Sequence, residues 1–399
     1  MSQPLSGIRV LDLTHMLSGP YGSMILADLG AETIKIEPLA GEGTRKLLAT
    51  DPNNSLDGMG AYYITLNRNK KSVAVDLKTA EGLALFKDLV CNVDIVINNF
   101  GAGVPERLGI DYASVSAVNP RIITCTVSGF GSDGPGSKRP AFDQVAQAMG
   151  GGMSITGPNQ ETMVRAGIPI GDLGGGMFGV MGILAALYER ERSGQGQHVD
   201  ISMLDCQISM LNYMATMHFL SAEDPYPIGN SHFVHVPYNT FTCSDGSIVI
   251  AVITDNFWVN LKGVVNCAEF ENAKYDTQPG RWEDREMINA RLNELLSVNS
   301  CAHWLGLFEA QRIPCAPVNR LSQALADTQV LHRNMVVDLK HPNGNSTKGP
   351  GNPIKLSRSS DEVFTAAPTL GQHTDEVMTQ LLNLSVEQIQ QMKDQGIIK

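Results

Sequence analysis

Five short apolar runs, spaced by helix-like stretches, constrain this chain more than any other feature. They are IRVLDL from position 8, ETIKIE from 32, KKSVAVDL from 70, DIVINNF from 94 and RIITCTVSGF from 121. Each has strand length and many β-branched residues, as expected for strands in a parallel sheet covered on both faces. Between the first two lie a Gly/Pro loop, THMLSGPYG, and a helical stretch, SMILADLG, that stops at Gly30. The third is followed by TAEGLALFKDLV, which reads as a helix capped by Thr79. Alternation of this kind implies an α/β fold with a parallel sheet, whose ligands sit in the loops after the strands.

Further on, a long helix is expected over Met177 to about Ser193, and GQGQHVDISMLD returns to a strand and starts another helix. From about residue 225 the character changes. PYNTFTCSDGSIVIAVIT reads as a hairpin with Asp245-Gly246 at its turn, and charged helical stretches follow. The expected organisation is a large α/β domain over 1–205, a linker over 206–225, a small α+β domain over 226–318, and a linker and return to the large domain over 319–399. The last part contains HPNGNSTKGPGNPIKLS and ends in a polar helix after Thr374.

The formal net charge of −11 removes any global electrostatic attraction to nucleic acid or an anionic membrane, so an anionic ligand must be met by local cations. Seven scattered cysteines suggest neither a disulfide framework nor a metal site, which fits a reducing compartment. No run of about 18 apolar residues is evident by eye, and the N-terminus lacks a signal-type pattern. A cytoplasmic protein is expected.

GFGSDG, Gly129 to Gly134, satisfies the GxGxxG spacing, but Pro135-Gly136 follows it instead of a helix, so a tight loop is the better reading. His232 and His235 stand three apart with no Glu or Cys beside them, a weak metal pattern, and no metal is expected. Arg45, Arg68, Lys70, Lys71, Lys78 and Arg107 fall beside strand ends, as a phosphate-binding cluster or a solvated rim would. GIPIGDLGGGMFG, residues 167–179, sets one carboxylate, Asp172, among six glycines. Two readings stand. Asp172 caps the helix that follows, or it is a covalent nucleophile to which the glycines give a large acyl group access.

Beyond these local readings the chain resembles the class III CoA-transferases, the group of formyl-CoA transferase and carnitine CoA-transferase. Ten segments in order carry the resemblance: GIRVLDLTHMLSGPYGSMILADLGAETIKIE, LNRNKKSVAVDLK, DIVINNFGAGVPERLGID, SGFGSDGP, AFDQVAQAMGG, GIPIGDLGGGMFG, RSGQGQHVDISMLD, DGSIVIAV, IPCAPVN and APTLGQHTDEVM. It implies a Rossmann-like large domain built from both ends of the chain, a smaller inserted α+β domain, and an interlocked homodimer. It further implies that CoA moves from an acyl-CoA, such as succinyl-CoA or acetyl-CoA, to a small carboxylic acid through a thioester on Asp172. Coenzyme A then enters as co-substrate, held by Val75, Asp76, Leu77, Lys78, Asn99, Phe100, Gly101, Arg107, Arg139, Phe142 and Asp143. The acids used across the family make a dicarboxylate such as succinate, mesaconate, citramalate or malate the expected acceptor. His15, Leu17, Ser18, Tyr62, Arg165, His232 and His235 are the residues expected near it.

Departures from formyl-CoA transferase lie around the substrate. Leu17 replaces a glutamine, Pro38 a basic residue, and the shorter GNSHFVHVPYN (229–239) a run of glycines. The related α-methylacyl-CoA racemases carry a Gly-His-Asp stretch where this chain has Ala141-Phe142-Asp143. A racemase is therefore the second reading, and a non-catalytic CoA-binding protein the third.

Overall fold

The computed structural model describes residues 3–341, 343–359 and 362–399. The chain forms two compact units. One comprises Met1–Gly152, Ala166–Ala222 and Gln329–Lys399, the other Met153–Arg165 and Glu223–Thr328.

The larger unit is built on six parallel strands: β1 (Arg9–Asp12), β2 (Glu32–Glu37), β3 (Lys70–Ala74), β4 (Ile95–Asn98), β5 (Ile123–Ser128) and β6 (His198–Ser202). Their order in the sheet is β3-β2-β1-β4-β5-β6. The chain first winds outward from β1 and then reverses, so the crevice between β1 and β4 is the switch point where a doubly wound sheet accepts ligands. Side chains alternate between two apolar layers. Leu11, Ile34, Val73 and Val96 face Phe86, Leu89 and the C-terminal residues Val377, Met378 and Ile398. Val10, Ile95, Ile123 and Val127 face Leu26, Val180 and Ile183. The edge strand β3 is continued by a bridge between Val75 and Ile398, which covers an otherwise open edge.

Helices α1 (Ser18–Asp28), α2 (Ala61–Leu66), α3 (Asp143–Met149), α4 (Ile170–Ser193), α5 (Met203–Leu211) and α6 (Tyr213–Ser221) belong to the same unit. Three expectations change here. Helix α4 starts seven residues before Met177 and takes in the whole glycine segment. It is also long and apolar enough, by length and composition, to cross a membrane, although no such run was expected. Its apolar residues Val180, Ile183, Ala186 and Leu187 are buried in the sheet layer. The segment 206–225, expected as linker, is largely helical, because Ser202 accepts the Asp205 N–H and starts α5.

In the smaller unit β7 (Tyr238–Cys243) and β8 (Gly246–Ala251) form the expected hairpin, and β9 (Cys315–Pro317) adds to β8 antiparallel. Gly246 pairs with Cys243, so the turn residues are Ser244-Asp245, one position earlier than expected. Helices α7 (Asp255–Val265), α8 (Gln278–Glu283), α9 (Arg285–Leu296) and α10 (Cys301–Ala310) accompany these strands. Trp258, Leu292 and Phe308 pack with Phe241, Ile248 and Ile250 as the core. Residues 153–165 join this unit, and it extends to Thr328 rather than 318.

Candidate active site

The loop after β1 is fixed from below by buried charge. Lys70 on β3 and Ser23 on α1 donate to Asp12 Oδ2 at 2.9 and 2.7 Å, and Lys35 on β2 donates to the Thr14 carbonyl at 2.7 Å. Burial alone would raise the Asp12 carboxyl, but Lys70 and Lys35 hold it well below the ordinary carboxylate range. Across the switch point Asn99 clamps His15, accepting its N–H at 2.9 Å and donating to its carbonyl at 2.7 Å. The loop therefore enters α1 in one conformation, with Leu17 at the N-cap position and Ser18 as first helical residue.

Ser18 meets Asp172 directly, since its hydroxyl donates to the Asp172 carbonyl at 2.8 Å. Asp172 lies in the first turn of α4, whose N-cap residue Pro169 offers no side-chain acceptor. The missing cap comes from another helix. Asp143, first residue of α3, accepts the N–H of Gly171 at 2.8 Å and of Asp172 at 3.2 Å, and its other oxygen is held by Gln147 at 2.6 Å. This satisfies two of the free N–H groups at the helix start. It also leaves the Asp172 carboxyl free of capping duty. Burial, with the negative Asp143 nearby, raises that carboxyl to about 6. The Tyr62 hydroxyl on α2 is pushed up to about 12 by burial and by Asp172, Glu42 and Asp143, which makes it a neutral donor at neutral pH.

The glycines of this segment have a purpose other than the clearance expected of them. A Cβ on Gly176 would stand 2.6 Å from the Ser18 carbonyl, and one on Gly175 would stand 2.5 Å from Ser18 Oγ. Gly174 and, beyond the segment, Gly182 similarly face Met210 and Val199 at 2.8 and 2.5 Å, whereas a Cβ on Gly179 would be in ordinary contact with Val127. They let α1, the sheet and α5 approach α4, and only Gly167 has open space around it.

A cavity of about 380 Å³ opens at the carboxyl ends of β1, β2 and β3. Leu13, Ile36, Val75, Leu77 and Phe100 form its apolar wall, with His15, Asp76, Lys78 and Glu42 at polar positions. Burial lowers the His15 pKa, which favours a neutral ring. Phe100 also lines a second cavity of about 230 Å³ together with Gly101, Asn98 and His198. The site residues thus fall into groups. His15, Val75, Asp76, Leu77, Lys78 and Phe100 share one cavity, whereas Ser18, Asp143 and Asp172 share hydrogen bonds. Arg107 and Arg139 are exposed, the latter over the Phe130 ring at 5.1 Å, and Phe142 is 65% exposed. Arg165, His232 and His235 belong to the smaller unit.

Four of the six basic residues, read as a phosphate-binding cluster or a solvated rim, are engaged in ion pairs instead. Arg45 pairs with Glu37 at 2.6 Å, Arg68 with Asp28 at 2.6 Å, and Lys70 with Asp12 at 2.9 Å. Lys71 pairs with Glu32 at 2.7 Å and with Glu376 at 2.8 Å. A cation beside or beneath a sheet layer requires a carboxylate partner, so those four positions reflect the fold's own ion pairs. Lys78 and Arg107 are exposed and, among the described residues, have no ion pair. Glu42 was missed. It caps the turn before Arg45 through Thr44 while lining the cavity, and one acidic residue in a Gly-rich loop gave no signal of either role.

The model of CoA-transferase family III matches residues 5–374. Succinyl-CoA:glutarate CoA-transferase of Mus musculus is 33% identical over 399 residues, covering 100% of this chain and 91% of that protein. Succinate–glutarate CoA-transferase of Agrobacterium fabrum is 36% identical over 389 residues, covering 95% and 96%. The crystal structure of a CAIB/BAIF family protein from Brucella suis is similar with a TM-score of 0.86 at 32% identity, covering 96% of this chain and 100% of that one.

Proposed function

The chain belongs to CoA-transferase family III, and from that premise we propose that it moves CoA from an acyl-CoA to a small dicarboxylic acid by way of Asp172. The observation that carries this reading is the placement of the Asp172 carboxyl. It is part-buried in the first turn of α4, relieved of capping by Asp143, and raised to about 6. At neutral pH such a group is still mostly anionic, yet more basic and so more nucleophilic than an exposed aspartate.

The Asp172 carboxylate attacks the thioester carbonyl carbon of the donor, the C–S bond breaks, and CoA leaves as thiolate, which gives an acyl-aspartyl anhydride. The thiolate attacks the aspartyl carbonyl carbon and expels the donor carboxylate, which leaves an aspartyl-CoA thioester. The acceptor carboxylate attacks that thioester and releases the thiolate again. Attack of the thiolate on the acceptor's acyl carbon then gives the new acyl-CoA and restores Asp172. Every nucleophile in the sequence is already an anion, so no general base is required. Developing oxyanions meet the positive end of α4 and the neutral Tyr62 hydroxyl.

The apolar cavity with Lys78 at its wall suits the adenine and a phosphate of CoA, and Arg107 supplies a second cation nearby in sequence to Phe100 and Leu108. The dicarboxylate acceptor rests on the named activities of the glutarate-using relatives. Racemisation is the second reading, and the exposed Phe142 beside Asp143 speaks against it because phenylalanine carries no proton. The exposed Phe219 and Leu220, 81% and 84% accessible on α6, support self-association into the interlocked homodimer of the family.

Incubation with succinyl-CoA and hydroxylamine or borohydride, followed by peptide mass spectrometry, tests the mechanism. Label at Asp172, lost in Asp172→Asn together with turnover, is expected. Wild-type turnover in Asp172→Asn refutes it. Light scattering of the eluted protein tests the dimer, which a mass of one chain overturns.

A further inference from the structure

Within AFDQVAQAMGG one buried polar side chain takes no part in the chemistry of Asp172. Gln147 stands on α3 one turn after Asp143 and is 2% exposed. Its amide is engaged at both ends. Nε2 donates to Asp143 Oδ2 at 2.6 Å, across the i, i+4 spacing that suits such a pair on a helix, and Oε1 accepts the N–H of Ala166 at 2.9 Å. Ala166 opens the short stretch that runs into α4 at Ile170.

A chain of hydrogen bonds therefore leads from Ala166 to the nucleophile without leaving the larger unit. Asp143 is its middle link: Oδ1 accepts the N–H groups of Gly171 and Asp172 at 2.8 and 3.2 Å, while Oδ2 is held by Gln147. A carboxylate bonded through one oxygen alone turns easily, because the torsion that carries it is broad, and a bond to the second oxygen fixes its plane. The fit is close on the other side as well. A Cβ on Gly171 would stand 3.0 Å from Asp143 Oδ1 and 3.4 Å from Ala146 Cβ. The charged or titratable groups that act on Asp172 here are the negative Asp143 and, from α2, the Tyr62 hydroxyl, which is pushed up to about 12 and stays neutral.

We propose that Gln147 is a positioning residue for the transfer reaction: it locks the Asp143 carboxylate between α3 and α4, and so sets where the Asp172 carboxyl points and how strongly Asp143 acts on it. The proposal rests on the reading of Asp172 as nucleophile. Gln147 acts through Asp143 and the Ala166 backbone. Glutamine suits the place because one planar group offers both a donor and an acceptor and adds no charge beside two carboxyls.

Two variants of the full chain test it. Gln147→Met nearly keeps the volume and removes both hydrogen bonds. Its kcat should fall about tenfold or more with the KM for acyl-CoA unchanged. The acid limb of kcat/KM, expected near pH 6 in the native chain, should move to lower pH, because a loosened Asp143 raises Asp172 less. Gln147→Glu keeps the acceptor for Ala166 and regains the donor when protonated. Its carboxyl would lie close enough to that of Asp143 for the pair to share one proton. Gln147→Glu should therefore keep most of kcat at mildly acidic pH and lose it through an alkaline limb that the native profile lacks. Circular dichroism checks that each variant folds, and should Gln147→Met not fold, the alkaline limb of Gln147→Glu decides. An unmoved acid limb in folded Gln147→Met, whatever its kcat, or a Gln147→Glu profile parallel to the native one, overturns the proposal. Hydroxylamine trapping in the native chain keeps the two readings apart. Absence of label at Asp172 refutes the nucleophile, whereas label there together with native kinetics in both variants refutes the positioning role alone.

Discussion

Asp172 is subject to opposing influences on its charge. The start of α4 favours an anion there, while burial and the negative Asp143 disfavour it, and the second influence prevails because the carboxyl rises to about 6. Two consequences differ in sign. Attack requires the anion, so kcat/KM for acyl-CoA should fall as pH drops below about 6, measured at saturating acceptor. Stability runs the other way. The folded pKa lies above the ordinary 3.8, so ionisation disfavours the fold, and stability is lost as pH rises through about 6. Asp172→Asn should therefore melt higher than the native chain at pH 8, with the difference closing by about pH 4 in scanning calorimetry. An unchanged difference across that range would remove burial as the cause. The cations sort in the same way. Lys70→Met leaves the buried Asp12 without its ion-pair partner and should cost about 3–5 kcal/mol in denaturant unfolding. Lys78→Ala should leave stability nearly unchanged and raise the KM for acyl-CoA about tenfold.

Helix α4 shows why sequence patterns locate an element more readily than its purpose. Its glycines draw attention to Asp172, and the residues around the chain's first strands and its hairpin lie close to where periodicity and caps place them, while the single helix expected after Thr374 is two, Thr374–Leu382 and Val386–Asp394, the second capped by Ser385. Periodicity does not reveal that Gly22 on α1 faces Gly176 on α4, where a Cβ on Gly22 would stand 3.0 Å from the Gly176 carbonyl. That contact joins residues far apart in the chain, and glycine looks the same whether it admits a ligand or a neighbouring helix. The basic residues mislead for a related reason: Arg45, Arg68 and Lys70 acquire partners only when the strands assemble, so strand-end position alone cannot separate a phosphate ligand from a buried ion pair. Gly176→Ala distinguishes the two meanings of the glycines. It should separate α1 from α4 at a cost of about 1–3 kcal/mol in denaturant unfolding, and lower kcat by shifting Ser18 away from Asp172. Full stability with a raised KM for acyl-CoA would return these glycines to ligand clearance.

At the scale of the molecule, residues 397–399 meet the end of β3 beside the cavity at the strands' carboxyl ends. Ile397 accepts the Asp76 N–H at 2.9 Å, Lys399 donates to the Ala74 carbonyl at 3.2 Å, and Ile398 bridges Val75. The strand edge that leads into Val75, Asp76, Leu77 and Lys78 is therefore completed by residues more than 300 positions later in sequence. Ile398 is 2% exposed and packs in the same apolar layer as Val75 and Ile36, both of which line the cavity. Loss of its side chain should act in two places at once. Ile398→Ala removes buried methyl groups, at a cost of about 2–5 kcal/mol. It also loosens the segment that ends in Lys78, so the KM for acyl-CoA should rise while hydroxylamine trapping at Asp172 under saturating acyl-CoA persists. Lys399→Ala keeps the backbone pairing and should change neither quantity, which separates the apolar contact from the terminal charge. A KM that stays constant in Ile398→Ala, despite lower stability, would show that the chain's end supports the fold without shaping the cavity.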